Sequence, residues 1–532
     1  MSGPAVHVSF NEAEVDRIFA PLDQCHTPGA TVGIAVHGRP VYRKGFGLAN
    51  LELPCVLTPS MRMRIGSVTK HFTCLTYMLL CEEEKANLDD PVGRYLPEIN
   101  PVARRVTMRQ LMGHTGGLRD AANIRFQFSG MSGAVATIPE LIALYGDIGS
   151  ANAEPGTTWM YSNGAYVLVS EVIERITGQQ LGEVMRSRIF DRIGMCDTML
   201  RRWDTNFVPN SATPHMTSVT GAFERPSWGL DFSGGGALIS TVDDMLRWLA
   251  HMDAPVIGNR STWAAMMSPQ TLANGTSTGY GLGLVAGQYR GVDTLYHIGG
   301  WLGAGAQMLK VPSAALDVIV MVNRHDISAP LLVDRILDAC LTGLEPVSAR
   351  EPAVAGTFVS AATGRVVQLY EKDMTQIAAV DGYSLAIESD PQGVLRVASP
   401  LRYVKQSFTL RGDRQRPAGI CLNDFGNLDE LVAVNPAAAK PELLGFIGRY
   451  ESDIPGLEAR ILESAAGAHL ITAGRFGFMR YEDLTCLTER VWLAKPAGAA
   501  AEWFGSILTF GTDYFTFRSY AIPRPLTFHR IP

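Results

Sequence analysis

Residues 68–84, VTKHFTCLTYMLLCEEE, form a segment that is apolar on nearly every side. Large hydrophobic side chains recur in it without leaving a polar face, at Phe72, Leu75, Met78, Leu79 and Leu80. A helix of this kind lies inside a domain and needs other elements packed around it. The chain of 532 residues is long enough for roughly two to four domains and at least one large core. The segment therefore predicts a buried helix in a large domain.

Strand patterns stand on both sides of this segment, with helical patterns between them. β-Branched and aromatic runs around the turn HGRP predict a β-hairpin over 29–50, and strand-like runs resume from residue 291. Start and stop signals predict helices over 165–177, 241–251 and 329–343. Strands, then helices, then strands and a closing helix indicate an α+β first domain.

The last third of the chain has a different pattern. Two Pro- and Ala-rich stretches, 344–354 and 434–444, lack periodicity and are typical of linkers. Each is followed by a Gly-x-aromatic-x-Ser stretch, first Gly356-Thr-Phe358-Val-Ser360 and then Gly448-Arg-Tyr450-Glu-Ser452. This repetition suggests a duplicated unit.

Short alternating strands without helical patterns follow each of these starts. They are typical of a small antiparallel barrel or sandwich. We therefore predict a catalytic α+β domain over 1–345 and two all-β domains over 350–437 and 440–532. A single long β domain after residue 350 is the alternative.

Composition and charge exclude several classes of protein. Hydrophobic residues make up 46% of the chain and charged residues 18%, which is typical of a globular protein. The net charge of −6 and the lack of a basic tract argue against a nucleic-acid partner. The eight cysteines are scattered without a C-x-x-C pair, as in reduced cytosolic proteins.

The N-terminal sequence MSGPAVHVSF lacks the basic start and apolar run of a signal peptide. No stretch is apolar for long enough to span a bilayer, so no membrane partner is predicted. These features predict a cytoplasmic protein, or a periplasmic one if a leader has been removed.

Ser67 and Lys70 break a local rule at the head of the apolar helix. A capping Ser is usually followed three residues later by Glu or Gln, and a cation there faces the positive end of the helix dipole. Residues three apart share a helix face, so the hydroxyl and the amine can approach each other. Burial favours the neutral amine, which can activate the hydroxyl as a nucleophile. The alternative is a capping Ser with a surface Lys.

A second candidate stretch is EPGTTWMYSNGAY (154–166), where a loop precedes a helix. Such loops aim side chains into clefts. Tyr161 could relay a proton between Ser67 and a leaving group, and Asn163 could hold a substrate amide. The alternative is structural, with Asn163 as the helix cap and Tyr161 packed as its hydrophobic staple.

A third candidate stretch, YHIGGWLGAGAQM (296–308), joins a strand to a run of glycines. Glycines allow another backbone to come close, so a peptide can lie alongside this strand as an added strand. His297 can exchange a proton near neutral pH. The alternative is that His297 is simply a packed residue of the strand.

The chain resembles the penicillin-recognising serine hydrolases, which include serine β-lactamases, D-amino-acid peptidases and related carboxylesterases. The resemblance covers approximately residues 10–345. It rests on the order of several stretches: Ser67-Val-Thr-Lys70, LDDPVGRYLPE, LMGHTGGL, PGTTWMYSN, GGGALISTVDDM and His297-Ile-Gly299. It implies a β-lactamase/transpeptidase-like α+β catalytic domain.

By this resemblance Ser67 is the acylated nucleophile, and Lys70 with Tyr161 handles its proton. His297 belongs to the third motif of the family and is implied as a further catalytic residue. Substrate-binding roles are implied for Asn163, Gly299 and Gly300, with the backbone N–H groups of Ser67 and Gly300 forming an oxyanion hole.

The third motif departs from one pattern of the family. Many β-lactamases and transpeptidases carry Lys-Thr-Gly there, whereas this chain has His297-Ile-Gly299. Histidine at this place is similar to the D-aminopeptidase branch, whose members also carry two C-terminal β-barrel domains. The tail of this chain is similar to that arrangement.

The resulting prediction is a serine peptidase or amidase that needs no cofactor and acts on short peptides. Peptides with D- or non-standard residues, such as linearised microcystin, are the candidate substrates. The alternatives are a carboxylesterase of the same family and a binding or sensor protein that has lost catalysis. His114, His215 and His297 lack a ligand spacing such as H-E-x-x-H, so no metal is predicted.

Overall fold

An antiparallel sheet of six strands joins the two ends of the N-terminal region. Two strands come from the beginning of this region and four from its end. The strands are β1 (Ala30–Val36), β2 (Arg39–Phe46), β3 (Val285–Tyr289), β4 (Val292–Trp301), β5 (Ala304–Val311) and β6 (Leu316–Val322). The strands pair in the order β3-β4-β5-β6-β1-β2, so β6 from the end lies next to β1 from the beginning. The hairpin predicted over 29–50 and the strands predicted after residue 291 are confirmed.

The computed structural model describes residues 6–129, 135–218, 220–347, 350–436, 443–464, 467–475, 477–496 and 505–532. Within these ranges the helices are α1 (Glu12–Phe19), α2 (Thr69–Glu82), α3 (Pro101–Arg104), α4 (Met108–Met112), α5 (Ala121–Ser129), α6 (Ile138–Asp147), α7 (Asn163–Thr177), α8 (Leu181–Met185), α9 (Asp191–Ile193), α10 (Val242–Asp253), α11 (Arg260–Met267) and α12 (Ala329–Cys340). None of the described helices is long and apolar enough to cross a membrane.

Both faces of the sheet are buried. Along β6, Val318 and Val320 belong to the core that α1 and α12 cover, while Ile319 and Met321 belong to the larger core on the opposite face. This follows from the two-residue repeat of a strand, in which successive side chains point to opposite faces. The sheet is therefore the middle layer of an α+β domain.

Helix α2 is the buried helix that the apolar segment predicts. The side chains from Thr69 to Leu80 are all buried. The helix runs from Thr69 to Glu82, slightly shorter than the apolar segment itself. Helices α7, α8 and α11 pack around it.

The predicted helix bounds differ from the observed ones by a few residues. Helix α7 begins at Asn163 because Ser162 caps it, and it ends where Gly178 adopts φ 67°. Helix α12 ends at Cys340, three residues before the predicted end, because Leu341–Thr342 pairs as a short strand with His7–Val8.

Two closed antiparallel barrels follow the sheet domain. The first contains β7 (Gly356–Val359), β8 (Val366–Lys372), β9 (Thr375–Val380), β10 (Tyr383–Ser389), β11 (Leu395–Val397), β12 (Gln406–Gly412), β13 (Pro417–Asp424) and β14 (Asn427–Val434). The second contains β15 (Gly448–Ser452), β16 (Leu457–Ser464), β17 (Gly467–Gly474), β18 (Gly477–Cys486), β19 (Val491–Pro496), β20 (Ser506–Phe510), β21 (Tyr514–Ser519) and β22 (Ile522–Ile531).

The repeated Gly-x-aromatic-x-Ser stretches mark the first strand of each barrel, β7 and β15. The aromatic residue is buried in the barrel interior in both cases, as Phe358 and as Tyr450. The structure has two separate barrels, so the alternative of a single long β domain is wrong. The predicted domain boundary at 437/440 lies outside the described residues.

The second barrel packs against the catalytic domain through α5. Phe128 of α5 lies 4.9 Å from Phe517, measured between ring centroids. Gln127 donates to Tyr481 Oη at 2.9 Å, and Tyr481 Oη donates to the Gln127 carbonyl at 3.0 Å. All four residues are buried, so the core of the barrel continues into the core of the catalytic domain.

Short strand pairs complete the fold. Met63–Arg64, Leu238–Ser240 and Met199–Leu200 form a small sheet. The pairs Leu48–Asn50 with Cys55–Val56, and Met216–Thr217 with Phe223–Glu224, border the catalytic domain.

Candidate active site

Ser67 lies in a tight turn at the head of α2. The 3₁₀ turn Gly66–Val68 joins the short strand Met63–Arg64 to the helix. Gly66 adopts φ 51°, a left-handed conformation that favours glycine. Ser67 is therefore placed at a helix N-terminus, where backbone N–H groups stabilise negative charge.

Lys70 follows on the same face of α2 and is 0% exposed. Its Nζ lies 2.9 Å from Ser67 Oγ and 2.8 Å from Asn163 Oδ1, and it also donates to the Gly235 carbonyl. Burial lowers the pKa of Lys70 to about 7, while the charge of Asp120 acts in the opposite direction. The alternative of a capping Ser with a surface Lys is wrong.

The three partners of Lys70 decide where its lone pair points when the amine is neutral. The Gly235 carbonyl and the Asn163 side-chain oxygen can only accept hydrogen bonds. A neutral amine has two hydrogens and donates them to these two acceptors, which leaves its lone pair facing Ser67 Oγ. The Ser67 hydroxyl can then donate to Lys70, the arrangement of an activated nucleophile.

Tyr161 and Asn163 flank the residue that caps α7. Ser162 is that cap, since its Oγ accepts a backbone N–H of the first helical turn at 3.0 Å. Ser162 also donates to the buried carboxylate of Asp120 at 2.8 Å. The alternative in which Asn163 caps the helix is wrong, because its side chain instead accepts from Lys70.

The ring of Tyr161 covers the Lys70 amine. Nζ lies 4.8 Å from the centroid of this ring and 5.1 Å from that of Tyr166. His114 supports Tyr161 from behind, with ring centroids 4.3 Å apart. Burial raises the pKa of Tyr161, and a hydrogen bond with Ser67 acts in the opposite direction. The phenol therefore holds its proton at neutral pH, within reach of the nucleophile.

The glycines of β4 allow this strand to approach the turn that holds Ser67. A Cβ on Gly299 would lie 1.9 Å from the Ile65 carbonyl oxygen, a distance that no side chain can occupy. A Cβ on Gly66 would lie 2.5 Å from the Gly300 carbonyl oxygen. The backbone of β4 and the backbone of the turn are therefore in direct contact, and Ser67 and Gly300 both line the same cavity.

The edge of β4 is partly open beside this contact. Strand β3 pairs with β4 only along Val292–Tyr296. Among the described residues, no strand pairs with that edge of β4 beyond Tyr296. An extended peptide can add to a free strand edge of this kind.

His297 lies close to the site but behind it. It is 3% exposed, its Nε2 lies 2.9 Å from Tyr280 Oη, and its Nδ1 lies 2.7 Å from the Ile298 carbonyl. The carbonyl requires Nδ1 to carry the proton, so Nε2 accepts from the tyrosine. Burial and the neighbouring Lys70 lower the pKa of His297 to about 3. The imidazole is therefore neutral and hydrogen-bonded at both nitrogens, which does not suit the predicted proton exchange.

Several supporting residues were not singled out from the sequence. They are His114, Asp120, Gly235 and Tyr280, of which the first and third lie in the stretches LMGHTGGL and GGGALISTVDDM. His114 Nδ1 accepts the Ser162 backbone N–H at 3.1 Å, and Asp120 accepts the Gly164 N–H at 3.0 Å. The stretches that contain His114 and Gly235 were noted in the sequence. A single sequence, however, does not distinguish a residue that supports the site from one that only packs in the core.

The site opens into a cavity of about 640 Å³. Ser67, Tyr161, Asn163 and Gly300 line one part of it. Apolar and aromatic residues of the catalytic domain line much of the rest, among them Phe126, Trp228, Ile298, Trp301 and Ile327. The first barrel closes the cavity with Tyr383, Ala386, Ala398, Pro400, Leu401 and Tyr403.

A sequence model of the β-lactamase family matches residues 15–341. The match covers more than half of the chain and includes the Ser67, Lys70 and Tyr161 constellation. The chain belongs to the β-lactamase family. The resemblance based on the motifs is confirmed, and so is the class of serine hydrolases. The fold is also confirmed, as this β-lactamase-like domain followed by two antiparallel barrels.

Similarity to known proteins extends beyond the family match. A D-aminopeptidase of Cereibacter sphaeroides is 27% identical over 484 residues, which cover 90% of each chain. A D-aminopeptidase of Gluconobacter oxydans is 28% identical over 340 residues, 63% of this chain and 64% of the relative. In that second case this chain spans just under two thirds of the relative's length.

Solved structures show the same fold. An octameric penicillin-binding protein homologue from Pyrococcus abyssi superposes with a TM-score of 0.56 at 19% identity, covering 97% of this chain and 98% of that one. A D-amino acid amidase from Ochrobactrum anthropi superposes with a TM-score of 0.52 at 22% identity, covering 62% of this chain and 98% of that one.

Proposed function

We propose that this member of the β-lactamase family is a serine peptidase or amidase that hydrolyses short peptides through an acyl-enzyme on Ser67. One observation carries the proposal: a completely buried Lys70 amine whose two other partners are pure acceptors, so that its lone pair faces Ser67 Oγ. The similarity to D-aminopeptidases over most of the chain supports amide bonds as substrates.

In the proposed first step, neutral Lys70 takes the Ser67 proton while Oγ forms a bond to the substrate carbonyl carbon. The negative charge that develops on the carbonyl oxygen is held by the backbone N–H groups of Ser67 and Gly300. Lys70 and Tyr161 return the proton to the leaving nitrogen as the C–N bond breaks. A water molecule then attacks the acyl-enzyme, gives up a proton by the same route and releases the acid.

Asn163 and the open edge of β4 hold the substrate in this mechanism. Asn163 accepts from Lys70 through Oδ1, so its NH₂ group is the part that can donate to a substrate carbonyl. We assign His297 a positioning role, because its hydrogen bonds to Tyr280 and to Ile298 anchor β4 beside the nucleophile.

The cavity favours short peptides with bulky apolar groups, since aromatic side chains form much of its wall. The names of the relatives support D-residues in the substrate. Linearised microcystin remains one candidate of this kind. The predicted cytoplasmic location also remains a proposal.

The deciding experiment compares a peptide amide with a p-nitrophenyl ester that carries the same acyl group. The proposal expects both to be cleaved, with Ser67→Ala lowering kcat by about 10³-fold or more. Ser187→Ala, an exposed serine on the surface, is the matched control and should retain activity.

Two outcomes would contradict the proposal. Turnover of the ester alone would favour the carboxylesterase. Failure of a phosphonate probe to label Ser67 in the folded protein, without turnover of either substrate, would favour a binding protein. Mass spectrometry of products from L,L-, D,L- and linearised cyclic peptides would then define the bond and the chirality.

A further inference from the structure

A second cavity of about 290 Å³ lies against the catalytic tyrosine, and we call it the chamber. Tyr161 and Asn163 line both the chamber and the catalytic cavity, whereas Ser67 and Gly300 line only the catalytic cavity. Residues of all three domains form its wall, including Gln127 of α5. A substrate held at Ser67 can therefore reach into the chamber past Tyr161.

Two buried oxygen atoms of residues that line the chamber have no hydrogen-bond partner among the described residues. They are Gln406 Oε1 and Ser519 Oγ, whose residues are 6% and 3% exposed. Gln406 donates its Nε2 to Asp424 Oδ1 at 3.1 Å, so its free oxygen is fixed as an acceptor. Buried polar groups are normally paired, and these two indicate a ligand group that donates hydrogen bonds.

The charges around the chamber favour a cation. Arg365 Nη1 lies 3.0 Å from Asp424 Oδ2, and Arg365 Nε lies 3.6 Å from Asp381 Oδ2. Behind this wall Arg518 lies 3.9 Å from Asp381, and Asp429 also interacts with Arg365. Three carboxyl groups therefore face two guanidinium groups, which leaves one negative charge in excess when all are ionised. Burial raises the pKa of Asp381, and the charges of Arg518 and Arg365 act in the opposite direction.

Aromatic rings form much of the remaining wall. Trp159 stacks on Phe425 with centroids 5.0 Å apart, and Tyr383 stacks on Tyr520 with centroids 4.8 Å apart. Tyr403 lies 5.9 Å from Trp159. Ring faces attract ammonium groups. The Trp159 indole Nε1–H also lacks a partner among the residues described and can donate to a carbonyl of the same ligand.

From these observations we propose that the chamber binds a cationic amino group carried by the leaving-group portion of the substrate. This inference rests on the proposed function. The mechanism indicates that the leaving-group portion, and not the acyl portion, enters the chamber. Tyr161 returns a proton to the leaving nitrogen and also borders the chamber. The acyl portion stays on the side of Ser67 and Gly300. The preferred substrates are then short peptides with a basic residue after the cleaved bond.

The test uses two substrates with one acyl group and different leaving groups, lysine amide and norleucine amide, whose side chain lacks only the terminal amino group of lysine. The wild type should cleave the lysine substrate with at least about tenfold higher kcat/KM, the size of effect that one or two charge-assisted hydrogen bonds produce. Ser519→Ala and Gln406→Met should each lower this ratio about threefold or more and leave the norleucine substrate unchanged.

Thr472→Val is the matched control. Thr472 is a buried hydroxyl of β17 that also lacks a partner in the described structure, but it does not border the chamber. Its variant should retain the wild-type ratio. Equal cleavage of both substrates, or a preference that depends only on charge in the acyl portion, would overturn the inference.

Calorimetry on Ser67→Ala separates this inference from the proposed function. Selective binding of the lysine substrate over the norleucine substrate by Ser67→Ala, combined with no turnover of either by the wild type, would support the chamber and contradict the peptidase. Turnover without selectivity would contradict the chamber alone. Equal binding of the two substrates by Ser67→Ala, together with equal turnover by the wild type, would exclude a leaving-group site there.

Discussion

Burial makes Lys70 a base, whereas a lysine on the protein surface is normally a cation at neutral pH. The neutral amine costs little to bury, whereas the ammonium form loses its hydration. Its hydrogen bonds to Asn163 and Gly235, two ring faces and the charge of Asp120 compensate only part of that loss. The pKa of Lys70 is therefore about 7, far below the usual value for lysine. At neutral pH a large fraction of the protein molecules therefore has Lys70 in its neutral form, which can act as a base.

This pKa makes the activity depend on pH in a defined direction. The reaction needs neutral Lys70, so kcat/KM should rise with pH and reach half of its plateau near pH 7. Asp120 raises the pKa of Lys70, so Asp120→Asn should move this midpoint to lower pH. A pH profile of kcat/KM for both proteins checks the shift, with Asp191→Asn on the exposed surface as the control. An unchanged midpoint in Asp120→Asn would contradict the assigned coupling.

At the scale of elements, the site depends on how closely β4 approaches the turn before α2. The contact is between backbones, and Gly299 is where a side chain would prevent it. Strand β4 is held from its other edge by β5, which pairs along Leu295–Trp301. The strand cannot easily move away to accommodate a larger residue.

Gly299→Ala should therefore destabilise the protein and inactivate it. Its Cβ would lie 1.9 Å from the Ile65 carbonyl oxygen, and forced overpacking costs about 1–3 kcal/mol or more. Gly300→Ala is the matched control for stability, because a Cβ there meets no atom within 4 Å. Thermal unfolding of both variants measures the difference. Equal melting temperatures would show that β4 is not held against the turn.

At the scale of the whole molecule, the second barrel is part of the catalytic core. Phe128 of α5 packs against Phe517 and Phe528 of the barrel, and Arg119 donates to the carbonyls of Arg524 and Pro525. Removal of residues 350–532 would expose this apolar surface as well as open the active site. Point variants therefore test the barrels more cleanly than truncation does.

Tyr481→Phe tests the contact between the second barrel and α5. It removes the hydroxyl that links Tyr481 to the side chain and carbonyl of Gln127, both inside the interface. We expect a loss of about 1–3 kcal/mol in the free energy of unfolding, because buried polar atoms lose their partner. Tyr514→Phe, which is 45% exposed in the same barrel, should change little. Denaturant unfolding compares the two. Identical stabilities would mean that the interface does not contribute to folding.

Tyr403→Ala tests whether the first barrel sets substrate size. Its ring lies 6.3 Å from that of Tyr161 and lines the catalytic cavity, so its removal widens the cavity. Cleavage of longer peptides should rise severalfold relative to dipeptides. Leu428→Ala, which removes an exposed side chain of the same barrel, is the control. An unchanged size preference in Tyr403→Ala would exclude the barrel from selectivity.

The residue types and their spacing were enough to predict most elements and the nucleophile. An apolar run predicts the buried α2, alternating runs predict the sheet, and repeated strand starts predict two barrels, because these patterns are local. The pair Ser67 and Lys70 was also visible, since residues three apart on a helix must share a face. The loop before α7 suggested roles for Tyr161 and Asn163, and the role of Gly300 came from resemblance to a family.

Only the tertiary structure decided the states of these groups. Burial by distant segments lowers the pKa of Lys70, and Asn163 and Gly235, far away in sequence, orient its lone pair. His297 looked available as an exchanger of protons, but Tyr280 and burial hold it neutral behind the site. Hydration and hydrogen-bond partners depend on which residues meet in space, so local patterns reveal the chemistry available and the fold determines how it is used.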